Sequence, residues 1–154
     1  MMITIDNFLN PEEVQRINAT IALAEKSTAG EIKPLVVQDS SSFPGDVKER
    51  TLTRANAEFF IEGLDHTTGH TGILIMISLE ERRVEVRAGK SISEFYDQKR
   101  WKVVVDTITS GIKKGDAAEG ICDAIIMVGR ILSKHFPIQP GDVNEIPDTI
   151  IFKK

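Results

Sequence analysis

Val14, Ile17, Ile21 and Ala24 recur at three- and four-residue steps, the spacing that gives a helix one apolar stripe. Its start has a mechanism: Asn10 can cap, Pro11 suits the first helical position, and Glu12 and Glu13 favour the positive end of the helix dipole. A helix is predicted from Pro11 to about Lys26. After the break at Ser27-Thr28-Ala29-Gly30, the aliphatic and β-branched run Glu31 to Gln38 reads as a strand, and Pro34 biases it toward an edge or a bulge. Whether Glu31 is a functional carboxylate or a polar strand entry stays open at this point.

A polar loop over 39–45 precedes Asp46, which with Glu49 opens a second helix running to Glu62, with Gly63 as its cap. Gly72 to Ser78 is a continuous apolar run, the pattern of a strand covered on both faces. Arg83-Val84-Glu85-Val86-Arg87 alternates charged and apolar side chains at period two, so Leu79-Glu80-Glu81-Arg82 is the turn of a hairpin. From Ser93 to Lys114, Phe95, Trp101, Val104, Val105, Ile108 and Ile112 fit a helix, although Val103-Val104-Val105 is β-prone. Trp101 is expected to close the core at the sheet edge. Asp116 caps a last helix to Lys134, stopped by His135-Phe136-Pro137, and the tail over 138–154 adds a short edge strand, Thr149 to Phe152. Helices before and after the strands, with one hairpin, predict a three-layer α/β/α sandwich with a small mixed sheet and helices on both faces.

Composition narrows this picture. A chain of 154 residues, 41% hydrophobic and 27% charged, fits one globular domain. The formal charge of −4 is spread among scattered Lys and Arg, which argues against nucleic acid as a partner. No window reaches a membrane span and the first residues lack a basic leader, so no direct membrane insertion and a cytoplasmic location are expected. Cys122 is the single cysteine; it lies in an apolar run and reads as a buried thiol.

Ala24 to Ile32, Gly72 to Val86, the closing helix ending in His135-Phe136-Pro137, and Asn144-Glu145-Ile146-Pro147-Asp148 together resemble the TPM-domain family, in its short soluble bacterial branch. The resemblance covers nearly the whole chain. It implies an αβα sandwich and, from some relatives, acid-phosphatase-type activity and binding of calcium or another divalent cation. The residues by themselves establish no cofactor.

Ligands of open α/β sheets bind beyond the carboxyl ends of strands, so Asp39, followed by Ser40, Ser41 and Ser42, is the first metal-ligand candidate. Arg87, near the end of its strand, is the anion-binding candidate, and Asp97 could face the same cleft as a second metal ligand. If a helix covers the Arg83, Glu85 and Arg87 face, those charges must be paired and the segment is structural. His66 and His70 flank Thr67-Thr68-Gly69 without the glutamate of a zincin motif and read as loop residues. Gly89-Lys90-Ser91 lacks the second glycine of a phosphate loop, and no nucleophile elbow is present. The expected function is an accessory or binding domain that takes up a divalent cation and acts with a protein partner. The alternative is a metal-assisted acid phosphatase in which Asp39 and Asp97 hold the ion and Arg87 the phosphate.

Overall fold

The computed structural model describes residues 2–154. Helix α1, Pro11–Glu25, starts in a complete capping box: the Glu13 amide donates to Asn10 Oδ1 at 2.8 Å and the Asn10 amide to Glu13 Oε1 at 2.9 Å. Strand β1, Glu31–Val37, follows, then α2, Val47–Ile61, capped by Asp46. Strands β2, Gly72–Ser78, and β3, Arg83–Ala88, form the expected hairpin. A single turn α3, Lys90–Ser93, leads to α4, Lys102–Lys113, α5, Ala117–His135, and β4, Ile151–Lys153.

The sheet order is β3-β2-β1-β4, with β1 parallel to both β2 and β4 and β2 antiparallel to β3. Period-two alternation divides the core. Ile32, Val36, Ile73, Ile75, Ile77, Val84 and Val86 pack against α1, α4 and α5, whereas Leu35, Val37, Leu74 and Met76 pack against Ala55 and Phe59 of α2. Each such fully buried aliphatic side chain contributes about 1.5–3 kcal/mol. The three-layer sandwich is therefore real but unequal, three long helices on one face and one on the other.

Three expectations need correction. The helix over 93–114 is broken: Asp97 accepts the Arg100 amide at 3.2 Å and opens a 3-10 turn, Gln98–Trp101, so α4 starts only at Lys102. Trp101 itself is 2% exposed in the larger core, and the β-prone valines are helical because Val104 is buried against it. Pro34 lies in an interior strand, yet β4 pairs only with Leu35, Val36 and Val37, so at Pro34 β1 is locally an edge and the missing N–H interrupts no ladder. The last strand falls at Ile151–Lys153, two residues later than its expected start, because Thr149 is engaged by Lys33.

Candidate metal centre

The amino end of β1 collects the unusual chemistry. Glu25 ends α1 and accepts the Ile32 amide at 2.8 Å, which aims its carboxylate across the 26–30 loop at the strand entry. Glu31 begins β1 and is 2% exposed. Gly30 makes this approach feasible: a Cβ there would lie 2.7 Å from Leu132 Cδ1 and 3.3 Å from the Thr71 carbonyl oxygen. From the far end of the chain the segment 138–150 crosses over the same point. The Glu145 amide donates to Glu31 Oε1 at 2.7 Å, and Glu145 in turn accepts the Thr68 amide at 3.0 Å. Lys33 Nζ, its pKa lowered by burial, donates to the carbonyl oxygens of Pro147 at 3.2 Å and Thr149 at 2.7 Å.

This crossing brings in Asp148. One carboxylate oxygen from each of Glu25, Glu31 and Asp148 lies within 4.8 Å of the others. Glu31 Oε2 and Asp148 Oδ1 are buried without a hydrogen-bond partner. Beside them is a cavity of about 210 Å³ whose wall also includes Asp142 and Asn144. Burial, and then the neighbouring Glu31, push Glu25 up to about 10; burial raises Glu31 as well. Buried carboxylates this close need a shared proton or a cation between them. The donor set is all oxygen, which matches calcium, magnesium or manganese and not the nitrogen and sulfur preference of zinc.

The residues singled out in the sequence lie elsewhere. Asp39 sits past the carboxyl end of β1, where it accepts the Ser41 amide at 3.0 Å and the Ser41 hydroxyl at 2.6 Å, bonds that hold it below its usual range. Arg87 pairs in register with Leu74, whereas Arg83 pairs with Ser78, the residue that faces Val37. Arg87 is thus four residues of strand, roughly 13 Å, from the end that carries Asp39. It donates from Nε to Asn56 Oδ1 at 2.8 Å and from Nη1 to the Ala88 carbonyl oxygen at 2.8 Å, with its guanidinium over the Phe59 ring. Asp97 caps the 3-10 turn flanking β3. The structure does not bring these three together. Arg83 pairs with Glu85 at 3.0 Å beneath α2, as expected of a covered face. His66 pairs with Asp65, His70 contacts the Asp65 carbonyl oxygen, and Cys122 is buried and free.

Sequence reasoning left Glu31 open and missed Glu25 and Asp148. The signal was present, since the Ala24 to Ile32 and Asn144 to Asp148 motifs that carry the family resemblance contain all three acids. A family model, the TPM domain, matches residues 3–131. The chain belongs to the TPM-domain family. Among solved structures, this TPM domain is similar to the BA42 protein from the psychrophilic bacterium Bizionia argentinensis, determined by NMR, at 30% identity and a TM-score of 0.82, over 97% of this chain and 98% of that one. It is also similar to the N-terminal domain of a P. gingivalis protein, at 17% identity and a TM-score of 0.62, over 84% of this chain and 80% of that one, a likeness that shows the fold alone. No curated protein sequence matches. Among the described residues of the TPM domain, no helix is long and apolar enough to cross a membrane.

Proposed function

We propose that this TPM domain is an accessory module that binds a hard divalent cation, calcium or a close substitute, through Glu25, Glu31 and Asp148, and acts with a protein partner. One observation carries the reading: three carboxylate oxygens within 4.8 Å, in a cluster where Glu31 Oε2 and Asp148 Oδ1 are buried and unpartnered. A cation there joins the end of α1 and the start of β1 to the 138–150 tail, more than a hundred residues away in sequence. Binding then stabilises the tail's path across the sheet, which gives the ion a structural consequence beyond neutralising charge. Carboxylates and backbone groups surround the site, a set suited to holding a cation. The phosphatase alternative loses its phosphate clamp, because Arg87 is committed to Asn56 and Ala88. The partner half of the reading is supported by α2, whose outer surface exposes Phe60 and Ile61 by 56% and 66%.

The test is thermal melting of chelator-stripped protein against calcium, magnesium, manganese and zinc. A saturable rise with an oxygen-preferring ion, absent in Glu31→Gln, is expected; no rise with any ion overturns the cation site. Hydrolysis of an aryl phosphate by the loaded protein, lost in Glu31→Gln, would establish the phosphatase instead.

A further inference from the structure

The opposite end of the parallel pair holds a second concavity, independent of the acidic cluster. Gln38, Ser78 and Leu79, at the carboxyl ends of β1 and β2, line a groove of about 530 Å³. That is the position where open α/β sheets receive ligands and a volume within the usual range for small molecules. Its floor is apolar: Phe8, Ile77, Leu79, Val84 and Ile112. Met2 and Ile3 flank it, 79% and 49% exposed, so this apolar surface extends outward beyond the core.

The rim is cationic in a chain of net negative charge. Arg82 and Lys113 border the groove, and neither has a salt-bridge partner among the described residues; Glu80 is the one acid on the rim. Arg82 adopts φ 55°, the left-handed conformation at the end of the hairpin turn. Glycine or asparagine fits that conformation with less steric cost, and among the described residues no hydrogen bond of the Arg82 side chain offsets the difference. An arginine held in an unfavourable backbone well, unpaired, beside an apolar groove, is better explained by a ligand than by the turn.

We infer that this groove binds a single-chain anionic amphiphile, an alkyl carboxylate whose chain lies along the apolar floor and whose head group meets Arg82 and Lys113. A carboxylate suits the two cations by charge, and an unbranched chain suits a floor built from the paired ends of β2 and β3, one helix end and the N-terminal segment.

Calorimetric titration with decanoate below its micellar range tests this, beside butyrate and decyltrimethylammonium. One decanoate per chain is expected, with butyrate failing to saturate and decyltrimethylammonium at least about tenfold weaker. Arg82→Gly relieves the turn, so its melting midpoint should equal or exceed that of the parent while decanoate affinity falls about fivefold. Unsaturable uptake, equal affinity for the cationic amphiphile, or unchanged affinity in Arg82→Gly overturns the inference. Co-sedimentation with phosphatidylglycerol vesicles in place of stoichiometric decanoate binding would also overturn it, in favour of a membrane surface.

Discussion

The two ends of β1 carry carboxylates of similar burial and opposite circumstance. At the carboxyl end, Glu81 has a fully buried side chain, and every direction it faces is answered. Ser78 Oγ donates at 2.7 Å, the Ser40 amide at 2.9 Å and Arg50 Nε at 2.8 Å. Burial alone would raise its pKa, but those hydrogen bonds outweigh burial and hold it below the usual value. At the amino end, Glu31 is as deeply set, yet one of its oxygens has no partner and its pKa is raised. The difference separates a carboxylate whose hydrogen bonds are complete from one left with an unanswered buried oxygen.

Breaking the satisfied end gives the largest expected effect. Glu81→Ala strands the Arg50 guanidinium, the Ser40 amide and the Ser78 hydroxyl, and should cost about 3 kcal/mol in urea denaturation. Glu31→Gln, measured without cations, should stay within about 1 kcal/mol of the parent or exceed it, because it removes a buried acid with one unpartnered oxygen while the amide oxygen can still accept from Glu145. Comparable losses in the two variants would show the amino-end carboxylate to be as structural as the other.

Adding the ligand sharpens the contrast. At a free concentration about a hundred times its dissociation constant, a cation bound only by the folded state adds about 2.7 kcal/mol. That gain should appear in the parent and in Glu81 variants that still fold, and vanish in Glu31→Gln and Asp148→Asn.

The course of the strands and most helices was legible because hydrophobic period is a local property: the Gly72–Ser78 run, the Arg83 to Arg87 alternation and the caps at Asn10, Asp46 and Asp116 all read directly. The break at Asp97 was not, since its cap competes with a helical stripe that continues on both sides. The acidic cluster was least legible. Its three carboxylates meet because Lys33 and Glu31 hold the tail by backbone atoms of Glu145, Pro147 and Thr149, and carbonyl and amide contacts leave no trace in residue type. The rule that ligands bind at strand carboxyl ends drew attention to Asp39 and away from the opposite end, where the tail creates a site that strand order alone does not predict.

The pH dependence follows from the same asymmetry. Glu25 has an ordinary value of 4.5 and is pushed up to about 10 by burial and by Glu31, so the folded state retains a proton that the unfolded chain releases. Stability from this group is full below about 4.5 and is lost as pH rises toward about 10. In chelator the melting midpoint should therefore decline from pH 5 to 9, and a saturating cation should abolish the decline. Cation affinity should rise with pH by up to about tenfold per unit for each proton displaced. A flat profile in chelator would remove the buried acid pair from the account.

The smallest effect tests the carboxyl end from its surface. Asp39 binds its own turn through Ser41, an arrangement that costs about 1 kcal/mol to lose. Its pKa is lowered by those bonds, so its contribution is present above the usual carboxylate value and disappears as pH falls through the lowered one. Asp39→Ala should shift the urea midpoint slightly at pH 7 and hardly at all at strongly acid pH, while leaving the cation-induced rise at full size. The last point discriminates most sharply. Asp39 has a carboxylate and neighbouring hydroxyls, the ingredients of a cation loop, but the Ser41 hydroxyl already serves it, whereas Glu31 Oε2 and Asp148 Oδ1 at the amino end have nothing to accept from. Loss of the cation response in Asp39→Ala would mean that exposure and ligand type, and not an unanswered buried charge, decide where this domain holds an ion.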